Sequence, residues 1–285
     1  EAAARTGHLT LRADAVVDRV TVDPATGRAN GVAFLDGVTK WPSHVRGRTV
    51  VLCASTIETL RILLRSACAR HPQGLGNSSG RLGRGFMDTV LSATGGPCPM
   101  AEDDGVPVDP YDGGRFNGFY VPRFRNVDAR HPDFRRGYGI LGGIGRGGSE
   151  WMLLAHGEML ARDENRVTLD PRRRDAWGLP VARIACRFGP NEQAMVRDQL
   201  RAMREMAAAA GLAVCIPATG GPLARVVWRL ARHRLRSPFG AFVPGMAVHE
   251  LGGAGMGDDP ARFVLNRFNQ CWDAPNVYVT DGACF

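Results

Sequence analysis

Apolar runs of two different periods follow one another along the chain, and their rhythm predicts its elements. Residues 9–22, LTLRADAVVDRVTV, are rich in Leu, Val and Thr with partial alternation, the period-2 pattern of half-buried strands. GRANGVAFLD adds Gly turns and another apolar run, so the opening reads as a small antiparallel meander. In RTVVLCASTIETLRILLRSAC, VVLCA is a short continuous apolar run of the kind found in strands buried on both faces. It leads through Ser55 or Thr56, either able to cap, into a helix whose apolar positions Ile57, Leu60, Ile62, Leu63 and Leu64 recur at helical spacing. Strand, tight turn and helix build open α/β sheets, and ligands collect where such strands end.

From residue 92 to residue 150 Gly, Pro, Asp and aromatic residues dominate, predicting long loops between short strands. Strands resume with WMLLAHGEML, NRVTLDP and LPVARIACRF, separated by turn-forming segments such as DPRRRDAWG. PNEQAMVRDQLRAMREMAAAAG predicts a helix capped by Asn191, with Met195, Leu200, Met203 and Met206 in its apolar stripe and Gly211 at its end. Near the C-terminus NVYVTDG reads as a buried strand running into an acidic residue and a glycine. The order α/β, α+β, then α/β again predicts an α/β plus α+β fold. Residues 1–91 and 246–285 form one domain in this reading, and 92–245 an inserted antiparallel-sheet domain.

Composition narrows the classes. Hydrophobic residues are 44% and charged residues 22%, without a low-complexity tract, which argues for a packed globular chain. No apolar run approaches the roughly 20 residues of a membrane-spanning helix. The net charge of +8 comes almost wholly from Arg, with Lys40 the only lysine, and these Arg residues are spread along the chain rather than gathered with aromatics. Nucleic-acid binding is therefore not expected. The exception is Arg225, Arg229, Arg232, Arg234 and Arg236, which read as a basic amphipathic helix and support an alternative: a non-catalytic binding or assembly module using segment 225–236. Seven cysteines, scattered and never in a CxxC pair, suggest buried small hydrophobes rather than disulfides or a zinc site. The chain opens without Met and stops just after a strand-like run, so both ends read as cuts, and a cytoplasmic location is favoured over export.

His249 carries the candidate chemistry. A lone His in a turn is ordinarily structural, but Gly252, Gly253, Gly255 and Gly257 crowd the residues after it. Such glycine density lowers stability and is kept where main chain must approach a ligand or adopt positive φ. A His held there can act as a general base near neutral pH. Asp281 and Gly282 end the last strand, where a carboxylate and a glycine amide can hold a cofactor's polar atoms.

HELGGAGMGDDPARFVLN followed by NVYVTDGACF resembles the C-terminal signature of the glucose-methanol-choline (GMC) oxidoreductases. VVLCASTIETLRILLRS resembles the same family's second signature, while LGRGFMD and GEMLARDENRVTLDP resemble its sugar-oxidising, pyranose oxidase-like branch. The resemblance implies a partial FAD-binding, Rossmann-like domain with the inserted domain binding substrate, a small sugar or alcohol. It implies that His249 takes the hydroxyl proton while the substrate carbon delivers hydride to flavin. Asp281 and Gly282 match the turn at the flavin pyrophosphate and ribityl chain, Ala54 and Ser55 the turn near the dinucleotide, and Val17 a main-chain contact to adenine. Tyr111, Phe116 and Tyr120 are candidates to line or cover the substrate pocket.

The pattern is incomplete. GLGNSSG at 74–80 follows a helix rather than a strand, so no GxGxxG unit is present. The resemblance places a second catalytic Asn or His beyond Phe285. Gly253 and Gly255 stand where relatives often carry Thr and Arg. The expectation is a fragment that binds FAD weakly alone, its chemistry belonging to a longer parent with an unspecified electron acceptor.

Overall fold

The computed structural model describes residues 2–97, 117–144, 150–212 and 242–285. Cys98, Tyr111, Phe116, Cys215 and the Arg225–Arg236 segment lie outside them. The chain divides into two compact units, the first comprising Glu1–Met87, Ala161–Cys186 and Glu250–Phe285, the second Asp88–Leu160 and Arg187–His249.

In the first unit a single helical turn, α1 (Ala2–Arg5), precedes an antiparallel meander of β1 (Ala15–Val22), β2 (Ala29–Asp36) and β3 (Pro42–Arg46). Strand structure begins at Ala15, six residues later than the sequence pattern suggests, and β3 is an addition to it. β4 (Val50–Leu52) leads into α2 (Thr56–Arg65) and pairs in parallel with β11 (Val277–Val279). Asn276 fixes this pair to the meander: its amide donates to the carbonyls of Ala29 at 2.7 Å and Arg48 at 2.8 Å, and its oxygen accepts from Ala29 N at 3.0 Å. Leu60 and Leu63 of α2 are fully buried with Val277 and Val279 in one core. Val51, by contrast, is 54% exposed, so β4 is not covered on both faces as its unbroken apolar run suggests.

The hairpin β9 (Arg166–Arg174) and β10 (Pro180–Ala185) packs with α2 in this unit rather than with the helix that follows it. The cause is local. Gly83 adopts φ 82°, donates to Gly253 O at 2.6 Å and accepts from Val167 N at 2.9 Å, and a Cβ there would stand 2.2 Å from Val167 O. The hairpin turn is confined to Asp175–Leu179, where Asp175 Oδ1 accepts from the amides of Trp177 and Leu179, both at 2.9 Å; DPRRR belongs to β9.

The second unit is a four-stranded antiparallel sheet in the order β5 (Val90–Pro97), β8 (Glu150–Gly157), β7 (Tyr138–Ile144), β6 (Asn117–Phe124), with α3 (Pro190–Ala209) against one face. The segment expected to hold long loops between short strands thus supplies three strands of seven or eight residues. Met195 and Met203 are fully buried on the sheet side of α3. Gly157 admits them: a Cβ there would lie 2.4 Å from Met195 Sδ. The cap differs from expectation. Gly189 is the N-cap, and the buried Glu192 side chain accepts from Gly189 N at 2.7 Å and Leu160 N at 3.1 Å, whereas Asn191 accepts from Arg135 N at 2.8 Å. Near the middle of α3 Asp198, 3% exposed, accepts from Arg125 Nε at 2.9 Å and Tyr138 OH at 2.6 Å, tying the β6–β7 connection to the helix.

Among the described cysteines only Cys271 and Cys284 are buried, while Cys53 and Cys68 are exposed, and none of the five described forms a disulfide. Among the described residues no helix is long and apolar enough to cross a membrane, and no three His, Cys, Asp or Glu side chains gather as a metal site.

Candidate functional site

In the first unit the parallel strands β4 and β11 end side by side, and four of the six candidate residues meet at those ends. Thr59 connects them: its hydroxyl donates to Asp281 Oδ2 at 2.5 Å and accepts from Ala54 N at 3.3 Å. Asp281 also accepts from Ala283 N at 3.0 Å, capping the short 3-10 turn Gly282–Cys284. Gly282 is required here, because a Cβ would stand 2.4 Å from Thr56 Oγ1 and 2.7 Å from Glu250 O, two atoms already hydrogen-bonded to each other at 2.6 Å. Ser55, the N-cap of α2, holds φ 68° and ψ 159° and makes no side-chain cap bond. That conformation costs about 1–3 kcal/mol for a residue carrying a Cβ and clusters at functional turns. The opening of α2 therefore presents amide donors beside a carboxylate and hydroxyls, a combination suited to an anionic, hydroxylated ligand.

Val17 stands apart from this turn, on β1. Its carbonyl accepts from Arg61 Nη2 at 2.9 Å, so the main chain there already has one partner. Arg61 is 5% exposed, its Nε bonds Glu58 at 2.7 Å, and its Nη1 is buried without a partner.

His249 lies in the second unit, with its ring exposed, and is held from behind by groups the sequence reading did not single out as functional. Asp88 is 3% exposed and places its carboxylate on three backbone amides: Thr89 at 2.8 Å, Gly245 at 2.5 Å and His249 at 3.3 Å. Thr89 Oγ1 lies 3.2 Å from His249 Nδ1. Val248, immediately before it, has φ 52°, a left-handed conformation that a β-branched side chain strongly resists. Strain and clasp coincide, which marks this turn as one whose geometry is imposed. A second imidazole, His156 of β8, stacks toward His249 with ring centroids 6.2 Å apart. Burial, then the charge of His249, pushes the His156 pKa below the ordinary imidazole value. Asp88 ends LGRGFMD and His156 directly precedes GEMLARDENRVTLDP, so both border motifs legible in the sequence. Nothing in a single sequence shows that Asp88 bonds amides so distant along the chain.

Comparison with known proteins identifies the family. Two models of the GMC oxidoreductase family match, the N-terminal one over residues 1–90 and the C-terminal one over residues 161–285. The chain is a member of the GMC oxidoreductase family. It is 27% identical to the 2-methyl-1,2-propanediol dehydrogenase of Mycolicibacterium austroafricanum, an alignment covering 96% of this chain and 49% of that protein. It is equally 27% identical to the gluconate 2-dehydrogenase flavoprotein of Pantoea cypripedii, over 96% of this chain and 46% of that one. A formate oxidase of Aspergillus oryzae shares the fold with a TM-score of 0.61 at 13% identity, covering 95% of this chain and 56% of the other. The chain thus spans about half the length of the curated relatives it matches.

Proposed function

We propose that this chain contributes to an FAD-dependent oxidoreductase that oxidises the CH–OH group of a small alcohol or sugar, with His249 as the general base. The observation that carries the reading is the His249 turn, an exposed imidazole fixed by a buried carboxylate and a neighbouring hydroxyl. With the proton on Nδ1 donated to Thr89 Oγ1, Nε2 keeps its lone pair and can take the hydroxyl proton of a bound alcohol. Asp88 acts on the backbone, holding the turn so that the ring need not reorient as it accepts that proton. Burial of His156 disfavours its charged form, which limits positive charge against the imidazolium that forms.

The cofactor side belongs to the first unit. Asp281, Gly282, Ala54 and Ser55 would hold FAD, the opening amides of α2 facing its phosphates and Asp281 its ribityl hydroxyls; Val17 is the proposed contact to adenine. Bound FAD supplies the hydride-accepting chemistry, and the protein supplies position and proton transfer. The names of the relatives, a propanediol dehydrogenase and a gluconate dehydrogenase flavoprotein, support a CH–OH substrate and a flavin. Family membership counts against an assembly module working through Arg225–Arg236. The test is the full-length protein under anaerobic conditions: it should carry flavin, and an alcohol or sugar should bleach the flavin absorbance. A full-length protein free of flavin contradicts the reading.

A further inference from the structure

The sheet of the second unit has two dissimilar faces. One is packed on α3: Ser92 donates to Gln199 at 2.7 Å, Tyr138 to Asp198, and Gly157 faces Met195. Since successive side chains of a strand alternate, the other face is read directly from the register. Leu91, His156 and Gly139 lie side by side across β5, β8 and β7. The next row holds Ala93, Leu154, Leu141 and Tyr120, and the one beyond it Gly95, Met152, Gly143 and Gly118. Each row is roughly 7 Å from the last.

In these three rows the polar side chains among the described residues are His156 and Tyr120, and both stand toward one end. His249 stacks toward His156 there, and the Tyr120 ring leans across β7 toward it, its hydroxyl 2.8 Å from where a Gly139 Cβ would be. Gly139 is thus the vacancy that lets a phenol reach the histidine row. Past that row the face changes character. Leu141 is 37% and Met152 41% exposed, the flanking positions are Ala or Gly, and no charged side chain and no hydrogen-bonding side chain other than Tyr120 points from these two rows among the described residues. A polyhydroxylated substrate laid there would lose water from several hydroxyls without gaining partners, each costing about 1–3 kcal/mol. An alkyl or aryl body would instead remove apolar surface from water, and the glycine row leaves it room.

We infer that the substrate is an alcohol with an apolar body, its carbinol at the histidine row between His249, His156 and Tyr120, and its alkyl or aryl part lying over Leu154, Leu141 and Met152. This rests on the CH–OH oxidation proposed above and selects within it, against free sugars and sugar acids.

The experiment mixes the full-length flavoprotein anaerobically with two panels, benzyl alcohol and 2-methyl-1-propanol against D-glucose and gluconate, and follows flavin reduction. The expected result is a kcat/KM at least about tenfold higher for the apolar panel, the scale that a few methylenes in a matching pocket supply. Leu154→Asn should lower kcat/KM for benzyl alcohol by about tenfold while changing that for D-glucose far less. Faster reduction by the sugars overturns this inference and leaves the oxidoreductase reading standing. A bound flavin that neither panel reduces overturns the oxidoreductase reading, and the inference with it.

Discussion

Asp88 and Asp281 serve comparable ends in the two units by different means. Asp281 accepts from one backbone amide of its turn and from the Thr59 hydroxyl, while Asp88 accepts from three amides alone. Beside Asp281 the geometry is set by close backbone approach, with Gly282 in contact distance of Thr56 and Glu250. Beside Asp88 a strained valine and an exposed imidazole are held in place. A surface that receives a cofactor is made of main chain and small residues, whereas one that moves a proton needs a side chain pinned from behind.

Three substitutions test that contrast, taken from the largest effect to the smallest. Asp88→Ala leaves three amides without their charged acceptor, each such bond contributing about 1.5–3 kcal/mol. In the full-length protein it should lower the melting temperature by several degrees and flavin reduction by more than tenfold, with Asp88→Asn intermediate; stopped-flow reduction and calorimetry check this. If instead Asp88→Ala matches wild type in both, the clasp has no role. Gly282→Ala forces a methyl against Thr56 Oγ1 and Glu250 O, an overpacking worth about 1–3 kcal/mol. Its expected signature is loss of bound flavin, measured as the ratio of visible to protein absorbance, with the reduction rate of the remaining holoenzyme unaltered. His156→Gln should have the smallest effect on stability, seen only in acid. The folded-state pKa of His156 is depressed, so the neutral form favours the fold above the ordinary imidazole value of 6.5, and that stability is lost as pH falls below it. Melting temperature should therefore fall less between pH 7 and pH 5 in the variant than in wild type. An identical pH dependence removes His156 from the argument.

The parts that the sequence made legible were those whose signal is local. VVLCA, the helix after it and NVYVTDG carry their own periodicity, and β4, α2 and β11 form where expected. The strands β5 and β7 were obscured by Gly95, Gly96, Gly139, Gly142 and Gly143, residues of low strand propensity. At Gly139 and Gly142 side chains from the neighbouring strand, Tyr120 and Phe119, lie across the glycine, while at Gly95 a Cβ would meet the Trp151 carbonyl. The placement of β9 and β10 depended on Gly83 and Gly253, partners too distant in the chain for a pattern to reveal. Asn191 has a favoured cap residue type, but Glu192 reaches the N-cap amide from inside the helix and leaves Asn191 free to bond Arg135. His249 was visible through its glycine-rich setting; Asp88, which positions it through backbone amides, leaves no motif of that kind.

The central claim is that His249 takes the substrate proton, and chemical rescue tests it most directly. In the full-length protein His249→Ala should retain its flavin spectrum and lose anaerobic flavin reduction by about 10²–10⁴-fold, with added imidazole restoring part of the rate. A His249→Ala variant that reduces its flavin at the wild-type rate without imidazole would contradict the account.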